Sequence, residues 1–132
     1  MTIGEAVKQC SRMKPSQYGK EDMIRWLSQL DGQIYTEILR THEGAPALPF
    51  QGYDDQTPED TVLLAVYPYD RLYSYYLGAM VDYANAEYAR YNNGMLQFNQ
   101  AFQEYARWYN RTHRNQEVCI RLQEESPCSF RP

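Results

Sequence analysis

The chain reads as an all-α protein, a small bundle of three main helices with a long helical hairpin, a long acidic loop and an extended C-terminal arm. Two stripes carry this. Leu72, Tyr76, Ala79, Tyr83 and Ala86 recur at steps of four and three, as do Met95, Phe98, Phe102, Tyr105 and Tyr109, so each set lies on one face of a helix turning once per roughly 3.6 residues. With Asn92-Asn93-Gly94 as a turn between them, they predict an antiparallel pair from Pro68 to Thr112. Composition agrees: 43% hydrophobic residues in a chain of 132 exclude wholesale disorder and allow one core. The 13 tyrosines suit helices that are also interfaces, since the ring is apolar and the hydroxyl can bond to water or a partner.

Taken in order, Thr2 to Glu5 fits a capping box that starts a short helix ending near Met13. Pro15 disfavours helix before it, and Ser16 or Gln17 opens the next segment. Met23, Leu27, Leu30, Ile34 and Ile38 predict a second helix from about Lys20 to Thr41 despite Gly32 in its interior, which costs about 1 kcal/mol. Trp26 and Tyr35 lie off that stripe, as edge contacts to the hairpin or to another subunit. From His42 to Val66, Gly44, Pro46, Pro49, Gly52 and Pro58 break any helix, while Glu43, Asp54, Asp55, Glu59 and Asp60 meet no Lys or Arg within the segment. Phe50 and Tyr53 are candidate anchors for this loop. Thr61 to Val66 is an apolar run of strand type that periodicity cannot tell from a helical turn. Pro68 and Asp70 suit the first turn of the next helix. Gly78, Ala79 and Ala84 leave room for a close neighbour. Beyond Arg114 the stripe ends, and Val118, Ile120 and Leu122 alternate as in an extended arm able to add to a partner surface.

Net charge of −4 argues against a protein that wraps nucleic acid, which needs clustered cations. The N-terminus has no signal pattern and no apolar run reaches bilayer length, so the expectation is cytoplasmic synthesis without a membrane. Cys10, Cys119 and Cys128 lack zinc spacing and are expected as reduced thiols, a Cys119–Cys128 bridge being the minor alternative. No cofactor or metal is expected. Asp54-Asp55 lacks the spacing of a calcium loop or a converging acid/base pair, and His42 and His113 are expected as solvated residues at helix ends. Arg107, Arg111 and Arg114, interleaved with Trp108, Tyr109 and His113, form a basic and aromatic cluster. A protein interface is the preferred expectation there, ahead of single-stranded nucleic acid and beside plain solvation of cations that complement a helix dipole.

The order of a capped first helix, Trp26-Leu27-Ser28-Gln29-Leu30-Asp31-Gly32-Gln33-Ile34, Pro49-Phe50-Gln51-Gly52-Tyr53, Pro68-Tyr69-Asp70-Arg71-Leu72-Tyr73 and Glu87-Tyr88-Ala89-Arg90-Tyr91-Asn92-Asn93 resembles the head–tail connector, or adaptor, proteins of tailed bacteriophages. The likeness covers residues 1–113, a helical adaptor domain, with 114–132 as the arm. It implies a non-enzymatic virion protein of the neck, assembled in the host cytoplasm as a homo-oligomeric ring, typically twelve-fold, between the portal and the stopper or tail proteins, with DNA only as passing cargo. Arg107, Trp108, Arg111, Val118, Ile120, Leu122 and Phe130 are then expected to face the portal or a neighbour, and Asp54, Asp55, Glu59 and Asp60 the channel. A stopper or tail-completion protein of the same assembly, or a small nucleic-acid-binding phage protein, is the alternative.

Overall fold

The structure, a computed structural model, describes residues 1–114. It is an all-α bundle whose helices are α1 (Ile3–Met13), α2 (Lys20–Glu37), α3 (Arg71–Ala84) and α4 (Tyr88–Thr112), with a 3-10 turn at Leu39–Thr41 where the second helix was expected to continue. The capping box is present: Thr2 Oγ1 accepts from the Glu5 N–H at 3.2 Å, and Glu5 accepts from the Thr2 N–H at 2.9 Å. After Pro15 the chain re-enters helix behind Gly19, not at Ser16, whose hydroxyl accepts from the Tyr18 N–H instead.

α3 is the central element. It packs against α1, α2 and α4, whereas α4 lies along α3 and makes no comparable contact with α1 or α2. Two inward faces explain why Tyr73, Leu77 and Val81 are buried alongside Leu72 and Ala79. Each fully buried aliphatic side chain here contributes about 1.5–3 kcal/mol. Tyr76 is half-buried against Phe98, while Tyr83 is 52% exposed. The second stripe holds better, with Phe98, Tyr105 and Tyr109 buried and Met95 and Phe102 half-buried. Trp26 is buried beside Tyr18, whose hydroxyl donates to the Ala84 carbonyl at the end of α3, and Tyr35 packs on the core.

The hairpin turn is not at Asn92-Asn93-Gly94. Those residues lie inside α4, and the chain reverses at Asn85-Ala86-Glu87, where the Glu87 N–H reaches the Asp82 carbonyl at 2.9 Å. Pairs across the hairpin fix the antiparallel register: Tyr69 with Trp108, Tyr76 with Phe98, and Ala79 with Gly94. Gly94 serves that last crossing. A Cβ added to it would sit 3.2 Å from the Ala79 Cβ, so the glycine permits close helix approach instead of a turn. The turn itself falls on Ala86 at φ 60°, a left-handed conformation that costs a residue with a Cβ about 1 kcal/mol. Ala86→Gly is accordingly expected to raise the denaturation midpoint, by about 1 kcal/mol in unfolding free energy. An unchanged or lower midpoint would count against a strained Ala86.

The loop from 42 to 70 is ordered against the body. Thr61 to Val66 is not helical: it pairs with the first residues of the chain through one antiparallel bridge, Thr2 with Val62, and then bends at Leu64-Ala65. The Ile3 N–H donates to Thr61 O and the Leu63 N–H to Met1 O, burying Leu63 and Ala65 between. Gly4 admits this approach, since a Cβ there would lie 3.2 Å from the Glu59 carbonyl. Pro68 and Asp70 precede α3 rather than forming its first turn, with Asp70 as its N-cap residue.

Candidate functional site

The polar cluster closest in composition to a reaction centre is buried. Asp31 is fully enclosed on α2: its Oδ1 accepts from the Tyr73 hydroxyl at 2.6 Å, and its Oδ2 from the Tyr53 hydroxyl at 2.6 Å and the Leu64 N–H at 3.1 Å. The Tyr73 oxygen in turn accepts from the Ala65 N–H at 2.7 Å. Desolvation raises the Asp31 carboxyl above the ordinary carboxylate range, against the pull of its three donors. Burial and the neighbouring Asp31 likewise push both phenols upward. Both carboxylate oxygens are committed, and the cluster is closed to solvent at Asp31, so its chemistry is to clamp the acidic loop to α2 and α3. Sequence reasoning passed over Asp31. The available signal was its place between Leu27 and Ile34 on the apolar face of α2, where a carboxylate needs donors.

Phe50 and Tyr53 anchor the loop as expected. The Tyr53 N–H donates to Ser28 Oγ at 2.9 Å, its ring meets Phe50 edge-on, and Phe50 lies over Gly32. The four loop carboxylates are not equivalent. Asp54 accepts from the Gln56 N–H and holds a local turn with Thr57, and Glu59 pairs with Lys20, a cation from outside the segment. Asp55 and Asp60 have no ion pair among the described residues. Asp55 instead borders a concavity of about 470 Å³ with Gly19, Lys20, Glu21, Asp22 and Ile24, at the start of α2, a helix that makes no sizeable contact with α4.

Neither histidine is merely solvated. His42 is buried, with Nδ1 2.7 Å from Ile38 O, Nε2 2.7 Å from Asn110 Oδ1, and its ring edge-on to Tyr109, so it ties the end of α2 to the end of α4. His113 stacks on Tyr109 at 3.8 Å. No family model, curated protein or solved structure matches the chain. The site must be judged on its residues.

Of the expected interface residues, Arg107 and Arg111 are exposed and have no ion pair among the described residues, whereas Trp108 is half-buried and stacked on Tyr69 at 5.1 Å. Arg114 lies 3.9 Å from Glu43 and its carbonyl accepts from the Glu43 N–H. The aromatic rings of the cluster are thus engaged within the protein rather than splayed for base stacking. Val118, Ile120, Leu122, Phe130, Cys119 and Cys128 lie outside the described residues; Cys10 is a buried free thiol whose pKa burial raises.

The arginines continue a longer stripe on the side of α4 opposite its apolar residues. Leu96, Gln100, Gln103, Arg107 and Arg111 follow one another along the exposed side of α4 at steps of four and three. No Asp, Glu, Lys or Arg occurs from Tyr91 to Gln103, and Leu96 is 69% exposed. A helix facing only water ordinarily carries charges there, whereas the cores of protein interfaces are depleted in them. Among the described residues no group of acidic, histidine or cysteine side chains is placed to hold a metal, and no helix is long and apolar enough to cross a membrane.

Proposed function

We propose that this chain is a structural assembly protein of a tailed-phage neck, an adaptor that forms a ring between the portal and the stopper or tail. The observation that carries the proposal is the exposed side of α4 that ends in two arginines without an ion pair among the described residues, on a bundle whose two buried carboxylates, Asp31 and Asp82, are both committed to internal partners. Such a molecule offers surfaces for contact. The resemblance in motif order over residues 1–113 supplies the partners, and no cofactor enters the proposal. Asp55 and Asp60, which have no ion pair among the described residues, are open to a surface outside the chain; a ring offers them its bore and the next protomer.

Removing residues 115–132 is expected to leave a helical protein, because the described core closes without them, and to abolish co-sedimentation with portal rings from the same phage. Full-length protein that ignored portal rings, or that retarded DNA while ignoring them, would overturn the adaptor assignment in favour of the nucleic-acid alternative. Circular dichroism of the shortened chain checks the fold separately.

A further inference from the structure

The two sides of the bundle are chemically opposed. α4 packs on α3 and presents the stripe from Leu96 to Arg111, and Glu104, the carboxylate that borders it, is taken by Arg71. Across the bundle, the first turns of α2 and the loop clamped by Asp31 bring together Glu21, Asp22, Asp54, Asp55 and Glu59 against Lys20 and Arg25, and two concavities there both include Glu21 and Asp55. Internal pairing leaves specific groups over. Among the described residues Lys20 is taken by Glu59 and Arg25 by Asp22, while Glu21 and Asp55 on one surface and Arg107 and Arg111 on another have no ion pair.

We propose that Arg107 and Arg111 of one copy dock against the Glu21 and Asp55 surface of a second copy, with the uncharged stretch of α4 covered by the same contact. The proposal deepens the ring assignment and rests on it. Opposite surfaces on one body make a head-to-tail contact, which repeats until it closes. An isologous dimer through the α4 face alone would leave the arginines without the Glu21 and Asp55 surface. Electrostatic attraction selects the register, and burial of Leu96 and its amide neighbours excludes water from the contact.

The test uses two charge-reversed full-length proteins, Arg107→Glu with Arg111→Glu, and Glu21→Lys with Asp55→Lys. All four positions are on exposed or solvent-facing surface, and circular dichroism of each variant checks that it folds. In sedimentation velocity at low salt the wild type is expected to form oligomers, and each variant alone to associate on the order of 100-fold more weakly. Mixed in equal amounts, the two variants are expected to assemble again, because every contact between unlike variants pairs opposite charges. A wild type that stays monomeric, a variant that assembles like the wild type, or a mixture that stays monomeric overturns the docking. Portal co-sedimentation of the same samples separates the two levels: binding to the portal with indifference to the charge reversals defeats this contact alone, and loss of portal binding by the wild type defeats the adaptor assignment.

Discussion

Asp31→Ala is expected to lower the unfolding free energy by about 2–4 kcal/mol, and the melting temperature by on the order of 10 °C. The substitution removes the acceptor for two phenols and one backbone N–H. Tyr73 is the costliest orphan, being fully buried with its oxygen already accepting from Ala65. Relief of the carboxylate's own desolvation offsets part of the loss. Asp31→Asn keeps one acceptor and is expected to lose less. Because burial raises the Asp31 carboxyl in the folded state, that state holds the proton more tightly than the unfolded chain. The associated stability is fully present below the unfolded pKa and is lost as pH rises through the folded one. The wild type should therefore gain on Asp31→Asn as pH falls from neutral toward about 4, in paired chemical denaturation series. A gap between the two proteins that stayed constant or shrank would contradict the desolvated carboxylate, and a wild-type-like Asp31→Ala would contradict the clamp.

The hairpin crossing carries the second large effect. Gly94→Leu is expected to cost about 3 kcal/mol, since even a methyl group there presses on Ala79 and a full side chain must part α3 from α4. Gly78→Ala is the matched control. Its added Cβ would meet only the far end of the Lys14 side chain, at 3.4 Å, which can move while Lys14 keeps its ion pair with buried Asp82. Helix propensity then favours alanine by about 0.5–1 kcal/mol. Denaturation midpoints that moved together, or in the reverse sense, would show that Gly94 is not a packing glycine.

These two sites also mark where local sequence was and was not sufficient. The capping box, the apolar stripe of α2 and the stripe of α4 depend on neighbours within one or two helical turns, and all three were readable. The turn was placed wrongly because Asn92-Asn93-Gly94 has turn composition, while the actual reversal uses Asn85 and an alanine with positive φ. Packing decided between them, since Gly94 is required opposite Ala79. His42 differs from its expected solvation for a similar reason: its burial depends on α4, which arrives from 68 residues further along the chain.

Of the candidate contact residues, Arg107 and Arg111 could be named from their spacing, because an arginine on the side of a helix opposite its apolar stripe must face outward. Their significance could not. Whether a charge has a partner is a matter of three-dimensional distance, and only the folded chain engages Trp108 with Tyr69, Glu59 with Lys20 and Asp54 with its own turn, leaving Glu21 and Asp55 opposite the arginines. Periodicity therefore sets which side of each helix is apolar, and long-range hydrogen bonds such as those to Asp31, formed across residues distant in the chain, set which polar groups remain for another molecule.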